Sequence, residues 1–325
     1  MRFLHTGDEE KELTYQDVFL VPQNSDVNSR MDVDLTPEGN SGLTFPIVVA
    51  NMTAVAGKRM AETVARRGGV VVLPQDILLD RIEQIVRYVK SRDHRVETPV
   101  VLDRHESIQT ALNLIYKRSH GAVLVVDELN QSIGVFTETD AKQKDRFSLI
   151  QDVMTKEIIT ILESASNNEA FSLMDEKRLS MIPVVKEDGS LVGVLTKKGV
   201  LRSEIFTPAT NTQNELLTSV AVGINSNLEK KVERLLEIGV DIIVLDTAHG
   251  HQKRMLDAIR LVRSMVGDRP LAAGNIVTAE AAEDFIEAGA SILKVGVGPG
   301  AMCITRMMTG MGRPQFSAVR AVADI

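Results

Sequence analysis

The chain has 325 residues, more than one ordinary domain needs, and this length predicts a large domain and a small one. Hydrophobic residues make up 44% of the sequence and charged residues 25%, so the chain can bury a core and is not expected to be disordered. The net charge of -7 is spread along the chain without a block of lysine or arginine, which argues against nucleic acid as a partner. The acidic start and the lack of a long apolar stretch predict a cytoplasmic protein with no membrane partner.

Six short apolar runs recur between amphipathic stretches. The runs lie at 47–50, 70–73, 219–222, 242–245, 271–273 and 292–295. They lack polar alternation, which is typical of parallel strands that are covered on both faces. The amphipathic stretches at 228–238 and 279–288 predict helices, and Thr278 opens the second. This βα repeat fits either a doubly wound sheet or a barrel, and periodicity alone does not choose between them.

An internal repeat lies between the second and third apolar runs, which are too far apart for one βα connection. The tetrapeptide GVFT at 134–137 returns as GVLT at 193–196, and the same offset of 59 residues aligns Val125 with Val184. Each copy is predicted to contain a helix, a strand, a turn and a strand, and the two copies would bury their apolar faces together. With DVMT at 152–155 between the copies, the pattern resembles a tandem pair of CBS domains. Chance similarity of two βαβ pieces is the alternative.

A glycine-rich segment at 294–306 (KVGVGPGAMCITR) follows the last predicted strand. Gly296, Gly298 and Gly300 alternate with other residues and precede Cys303, the one cysteine of the sequence. Glycines let the backbone approach a ligand closely and permit positive φ, although their spacing differs from the G-x-G-x-x-G fingerprint. A tight turn with a cysteine that packs as a small hydrophobe explains the segment as well as a reactive thiol does.

Several other sequence motifs occur together with this glycine-rich segment and make its interpretation more specific. The loop at 296–305 and TGMGRPQ at 309–315 occur together with YQDVFLVP at 15–22, ANM at 50–52, LDTAHGH at 245–251 and AGN at 273–275. These motifs resemble the IMP dehydrogenase/GMP reductase family over essentially the whole chain. The resemblance implies an α/β fold, a TIM (β/α)8 barrel with an inserted tandem CBS domain. Because a complete barrel has eight strands, we expect the chain to stop after about six of them. The expected segments are 1–95 for the first part of the barrel, 96–205 for the CBS pair and 206–325 for the second part, without the C-terminal strands.

The resemblance also implies roles for single residues. Cys303 is expected to attack C2 of a purine nucleotide, with Thr305 handling water or ammonia at the adduct; a loop-capping threonine is the alternative. The expected contacts to a nicotinamide cofactor are Asp246, Thr247, Ala248, Gly296, Val297 and Gly298. An N-cap is the alternative for Asp246. A potassium ion would be held by the backbone carbonyls of Gly298, Gly300 and Cys303, whereas no cluster at transition-metal spacing is found.

The sequence carries features of both branches of the family. Asn51 stands where dehydrogenases usually have alanine or proline and where reductases have asparagine, and Ala301 replaces a serine of both. DTAHGH at 246–251 and the CBS pair are dehydrogenase-like. The mixture resembles bacterial CBS-containing GMP reductases, so we expect NADPH-dependent reductive deamination of GMP to IMP and ammonia, a purine-salvage reaction. The alternatives are an NAD-dependent IMP dehydrogenase that forms XMP and an inactive fragment that acts only as a CBS nucleotide-binding module. We also expect adenine or guanine nucleotides at the CBS pair and a homo-oligomer, a tetramer or an octamer.

Overall fold

The computed structural model describes Gly7, residues 11–225 and residues 227–325. It divides into two compact units, one formed by Met1–Ser91 with Ala209–Ile325 and the other by Arg92–Pro208. The interval 96–205, which the sequence assigns to an insertion, lies within the second unit. Among the described residues, no helix is long and apolar enough to cross a membrane.

The first unit begins with two strand–helix pairs. Their elements are β1 (Val48–Val49), α1 (Lys58–Ala65), β2 (Val70–Leu73) and α2 (Leu79–Lys90). In α2, Ile82, Ile85, Val86 and Val89 recur at helical spacing and are all buried. Strand β2 is buried along its whole length because helices cover one of its faces and loop residues cover the other.

The second unit contains the repeat that the sequence predicts. Its first copy comprises β3 (Val100–Asp103), α3 (Ile108–Ile115), β4 (Ala122–Val126) and β5 (Ser132–Thr137). Its second copy comprises β6 (Ile161–Leu162), α4 (Asn167–Glu176), β7 (Met181–Val185) and β8 (Leu191–Thr196), followed by α5 (Lys197–Ser203). In each copy the first strand pairs in parallel with the second, and the second pairs antiparallel with the third. Ser107 and Ser166 cap α3 and α4 through the same hydrogen bond, from the backbone N–H three residues later.

Equivalent positions of the two copies pair with each other in the second unit. Gln131 forms an antiparallel bridge with Ser190, its counterpart in the other copy. Glu97, ahead of the first copy, pairs with Val194 of β8, and Thr155, between the copies, pairs with Val135 of β5. Each copy keeps its own buried cluster, around Phe136 in one and Met174 in the other. The two copies are therefore related by an approximate twofold.

The first unit resumes after the repeat with four more strands. The elements are β9 (Ser219–Val222), α6 (Leu228–Glu237), β10 (Ile242–Asp246), α7 (Lys253–Val266), β11 (Leu271–Ile276), α8 (Ala279–Ala288), β12 (Ile292–Val295), α9 (Thr305–Thr309) and α10 (Gln315–Ala323). The described strands of this unit form one parallel sheet in the order β1-β2-β9-β10-β11-β12.

The two faces of this sheet are covered in different ways. Val71, Val220 and Ile243 pack with residues of α1, α2, α6, α7 and α8 in one cluster, so the helices lie on one side of the sheet. The alternate residues Val72 and Val244 pack instead against loop residues, in a cluster completed by Leu43, Val70, Ala209, Leu217, Ala221, Ile242 and Ala272. A doubly wound sheet carries helices on both faces, whereas a barrel carries them outside only.

A side-chain contact between the two edge strands shows that the sheet is curled. Lys294 of β12 donates from Nζ to Oδ1 of Asn51, just after β1, over 3.0 Å. In a flat sheet, strands five places apart would be separated by about 24 Å, at roughly 4.8 Å per strand. The sheet is therefore a curled half-barrel, and the prediction of a barrel-type α/β fold is confirmed at that level.

Three predicted strands differ from the structure in their bounds, and α6 ends at Glu237 rather than at residue 238. β1 covers only Val48–Val49 rather than 47–50, and β11 continues to Ile276. β10 extends to Asp246, so this residue ends a strand. The alternative in which Asp246 caps a helix is wrong, because α7 begins at Lys253 after Gln252.

Candidate active site

Cys303 is exposed on the loop between β12 and α9. Its sulfur lies 3.3 Å from Oγ1 of Thr305, the first residue of α9, and its backbone N–H donates to the carbonyl oxygen of Gly300 over 3.0 Å. Hydrogen bonds from the Thr305 side chain and then from its backbone N–H lower the pKa of the Cys303 thiol. The hydroxyl can rotate to donate to a thiolate, so this loop favours the nucleophilic form of the cysteine.

Two of the three glycines in this loop are required by the backbone. Gly296 has φ 130° and Gly298 has φ 74°, values that other residues rarely adopt. A Cβ at Gly296 would lie 2.5 Å from Oε1 of Gln315, and a Cβ at Gly298 would lie 2.5 Å from Cγ of Arg306. The backbone at these two positions is thus packed against side chains from beyond the cysteine.

Arg313 and Gln315 hold the far end of the loop against the sheet. The Arg313 backbone N–H donates to the Val297 carbonyl over 3.3 Å, and its Nη1 donates to the Val277 carbonyl over 2.7 Å. The same guanidinium binds both carboxylate oxygens of Glu12. Gln315 donates to the carbonyl of Val295, the last residue of β12, over 3.0 Å. Residues 297–313 therefore form a closed loop that presents the thiol.

Asp246, Gly274 and Lys294 lie side by side on three neighbouring strands. Asp246 of β10 is in register with Gly274 of β11, which is in register with Lys294 of β12. Lys294 reaches across the glycine and forms a hydrogen-bonded ion pair with Asp246 Oδ1. The other carboxylate oxygen of Asp246 accepts from Nδ2 of Asn51 over 2.9 Å. The structure thereby joins the strand ends β1, β10 and β12 in one polar network.

The loop after β10 is tied to the glycine-rich loop through β11. Thr247 exchanges backbone hydrogen bonds with Gly274 and Asn275, each of 2.9 Å, and Asn275 Nδ2 donates to the Gly296 carbonyl over 2.8 Å. Ala248 is exposed beside them. The structure thus brings Asp246, Thr247 and the Gly296 backbone to the same end of the sheet, the carboxyl ends of its strands.

Comparison with known proteins identifies the family to which the chain belongs. The model of the IMP dehydrogenase / GMP reductase domain matches residues 12–325. The chain belongs to this family. GMP reductase of Mycobacterium tuberculosis (strain ATCC 25618 / H37Rv) is 49% identical over 324 residues, which are 100% of this chain and 67% of that protein. Inosine-5'-monophosphate dehydrogenase of Nitrosopumilus maritimus (strain SCM1) is 35% identical over 317 residues, 96% of this chain and 67% of that protein.

Solved structures of the same family are also similar. GMP reductase from Trypanosoma brucei in complex with guanosine 5'-triphosphate has a TM-score of 0.64 and 33% sequence identity, and the match covers 97% of this chain and 78% of that one. A cysteine-to-alanine variant of the same enzyme has a TM-score of 0.66 and 33% identity, over 97% of this chain and 74% of that one. IMP dehydrogenases and GMP reductases are oxidoreductases that use nicotinamide cofactors, so the chain is a member of an oxidoreductase family.

Two buried side-chain acceptors lie beside the glycine-rich loop, and sequence reasoning does not find them. Oδ1 of Asn275 and Oε1 of Gln315 are buried and have no hydrogen-bond partner within the described chain. The amide nitrogens of both side chains donate hydrogen bonds to backbone carbonyls next to the glycine-rich loop. Asn275 belongs to the AGN motif at 273–275, but its unpaired acceptor follows only from the fold. Lys294 belongs to an apolar run that predicts a strand, and nothing in the sequence indicates its ion pair.

The expected potassium ligands in this loop are backbone carbonyls. The Gly300 carbonyl already accepts from Cys303, which leaves it one lone pair for a monovalent cation. His251 binds Asp284 at 2.8 Å, and the part of the chain that the structure describes contains no group of three or more His, Cys, Asp or Glu residues that could hold a metal ion.

Proposed function

We propose that this family member is a GMP reductase that converts GMP to IMP and ammonia with NADPH. The exposed Cys303 thiol, with the Thr305 hydroxyl 3.3 Å away, carries the proposal, because addition of a thiolate to an electron-poor ring carbon needs this kind of nucleophile. The 49% identity with a GMP reductase supports the reductive direction, as does Asn51, the residue typical of reductases at its position.

The proposed reaction proceeds through a covalent adduct of Cys303 with the purine. The Cys303 thiolate adds to C2 of the purine, the bond from C2 to the exocyclic nitrogen breaks, and ammonia leaves after it takes up a proton. NADPH supplies the hydride that C2 accepts, and the bond from C2 to sulfur then breaks to give IMP and free enzyme. GMP, NADPH and two protons thus yield IMP, NADP+ and an ammonium ion. Thr305 would orient or protonate the leaving ammonia through its hydroxyl.

The residues for the cofactor are assigned as part of the same proposal. Asp246 would accept from the cofactor ribose or carboxamide, and the neighbouring positions Thr247, Ala248, Gly296, Val297 and Gly298 would contact it through their backbones. A potassium ion, which would stabilise the loop, is assigned to the carbonyls of Gly298, Gly300 and Cys303. These assignments are supported by the backbone contacts that hold Thr247 and Gly296 on either side of Asn275 at the carboxyl ends of the strands.

The second unit is proposed to be a tandem CBS pair that binds adenine or guanine nucleotides. Its support is the twofold relation of the two copies, with Gln131 paired to Ser190. A homo-oligomer, a tetramer or an octamer, and a cytoplasmic location complete the proposal.

IMP dehydrogenase is the second candidate, since relatives of 35–36% identity carry that name. The experiment that separates the two is a pair of turnover assays on this protein. GMP with NADPH should yield IMP, ammonium and NADP+, whereas IMP with NAD should yield no XMP. Formation of XMP alone would reverse the assignment, and turnover of neither pair would favour a chain that acts only as a nucleotide-binding module.

A further inference from the structure

Asn51, Asp246 and Lys294 form a closed ring of hydrogen bonds at the carboxyl ends of the strands. Asn51 Nδ2 donates to Asp246 Oδ2 over 2.9 Å, and Asn51 Oδ1 accepts from Lys294 Nζ over 3.0 Å. Lys294 closes the ring through its ion pair with Asp246 Oδ1. Each member therefore bonds to both others, although Asn51 follows β1 and the other two side chains come from β10 and β12.

The chemistry of the ring permits only one orientation of the amide. If Asn51 were flipped, its NH2 group would face the Lys294 ammonium and its oxygen would face the Asp246 carboxylate, and neither pair could form a hydrogen bond. The side chains of Asp246 and Lys294 are 15% and 34% exposed, so water compensates little for a lost partner of the carboxylate. Asn51 thus fixes both the direction of the carboxylate and the position of the ammonium.

The neighbouring strand leaves the space that this ring needs. Gly274 lies between Asp246 and Lys294 in register, and a Cβ there would lie 2.5 Å from both Cβ and the carbonyl oxygen of Lys294. The lysine crosses this gap to reach the carboxylate. Without a third partner, an ion pair of this kind could still rotate about the side-chain bonds of both residues.

We propose that Asn51 is a positioning residue, which aims the Asp246 carboxylate at the cofactor through the ring with Lys294. The inference rests on the proposed function in one respect, the contact between Asp246 and a nicotinamide cofactor. It assigns to Asn51 a role beyond that of a residue typical of one branch of the family. The charged groups against Asn51 in the described structure are Asp246 from β10 and Lys294 from β12.

The ring can be opened in two ways that differ in their response to pH. Asn51→Leu keeps the number and branching of the side-chain heavy atoms but cannot form a hydrogen bond, so the ring is open at every pH. Asn51→Asp offers a carboxyl group that mimics the amide only while one proton is shared with Asp246, since a protonated carboxyl has one donor and one acceptor. Above the pKa of that pair, two carboxylates face each other and the ring opens.

The test measures equilibrium binding of NADPH and NADH by nicotinamide fluorescence, between about pH 5.5 and about pH 8.5, the range over which a shared carboxyl proton can be lost. Asn51→Leu should weaken binding about tenfold throughout, as expected for one hydrogen bond to a charged group. Asn51→Asp should bind nearly as wild type at the acid end and about tenfold more weakly at the basic end. Thr53→Asp, which adds the same charge two residues away at an exposed position, is the matched control and should follow wild type.

Measurements of cofactor binding and of GMP turnover distinguish failure of the positioning role of Asn51 from failure of the proposed function. If wild type binds a nicotinamide cofactor and the variants show the expected pattern, the inference stands even if GMP is not reduced. If GMP is reduced but Asn51→Leu binds the cofactor as wild type does, or Asn51→Asp shows no more pH dependence than Thr53→Asp, the positioning role is wrong. If neither cofactor binds to wild type, the role of the ring and the proposed function both fail.

Discussion

The Cys303 sulfur lies 3.3 Å from the hydroxyl oxygen of Thr305, and this contact lowers the pKa of the thiol. Thr305→Val removes the hydroxyl, so the pKa should rise and less thiolate should exist at any given pH. We expect the pH profile of alkylation by iodoacetamide to move to higher pH. Because the chain has one cysteine, the reaction reports on Cys303 alone. Thr305→Ser keeps the hydroxyl and should leave the profile near its original position; equal profiles for the valine variant and wild type would contradict the prediction.

Removal of the nucleophile itself should separate binding from chemistry. Cys303→Ala is expected to abolish turnover of GMP while it leaves nucleotide affinity within about tenfold, because the variant loses only the covalent step. Met302, the exposed neighbour of the cysteine, supplies the control, and Met302→Leu should keep its turnover. Measurement of single-turnover rates and of nucleotide affinity by calorimetry checks the prediction. Substantial turnover by Cys303→Ala would remove Cys303 from the mechanism.

A substitution at Gly274 tests whether Lys294 needs the space that the missing side chain leaves on β11. Gly274→Ala would put a methyl group 2.5 Å from Lys294 Cβ in a buried position, and overpacking of this kind costs about 1–3 kcal/mol. We expect a lower melting temperature together with weaker cofactor binding, since the ion pair with Asp246 must shift. Gly57→Ala is a suitable control, because no atom lies within 4 Å of its Cβ position. Equal melting temperatures for the two variants would show that β11 accommodates the methyl group.

The strands and the internal repeat could be predicted from the sequence because each depends on a local pattern. The strands β2, β9 and β12 have the predicted bounds. Every residue of β2 and β9 is buried, because a continuous apolar run is typical of a strand that is covered on both faces. The repeat is equally predictable from the sequence, because β4 and β7 are separated by the same offset as the repeated sequence motifs. Local signals of this kind do not depend on how the sheet closes.

The partners of the site residues could not be read from the sequence. Asp246 was recognised by its motif, but its ion pair with Lys294 depends on the register of three strands and on the absence of a side chain at Gly274. The contact of Lys294 with Asn51 depends in addition on the curl of the sheet, which brings β12 close to the end of β1. Short segment patterns carry no information on either, and the family resemblance, rather than periodicity, was what selected the barrel.

The ion pair between Glu12 and Arg313 predicts that acid weakens the attachment of the loop at 297–313. The hydrogen bond from Arg313 lowers the pKa of Glu12, so the pair contributes stability above the usual carboxyl range and loses it as the pH falls through the lowered pKa. Since Glu12 is half exposed, the gain is small, and we expect a local effect. Glu12→Gln should speed hydrogen exchange in residues 297–313 at neutral pH and remove the acid dependence of that exchange. Glu38→Gln, at an exposed position, should change neither; equal exchange in both variants would contradict the prediction.

The pairing between the two copies of the repeat predicts that they fold only together. Glu97, ahead of the first copy, forms backbone hydrogen bonds with Val194 of the second copy, and Gln131 of the first copy forms a bridge with Ser190 of the second. A cut between the copies would leave β8 with an unpaired edge and expose apolar surface. The isolated segment 92–208 should therefore unfold cooperatively, whereas 92–157 and 158–208 alone should not fold.

If the segment is a CBS pair, ATP or GTP should stabilise it in the same experiment. A ligand that binds only the folded form adds about 2.7 kcal/mol at a concentration one hundred times its Kd, so the melting temperature should rise with nucleotide concentration. Because the two copies are related by a twofold, the site is expected in the cleft between them, and the single copies should show no such rise. Calorimetric melting of 92–208 with ATP, with GTP and with inorganic phosphate checks this. A cooperative transition that no nucleotide shifts would leave the pair folded but without the ligand class we propose, whereas a shift with phosphate alone would mean that the site recognises the phosphate and not the base.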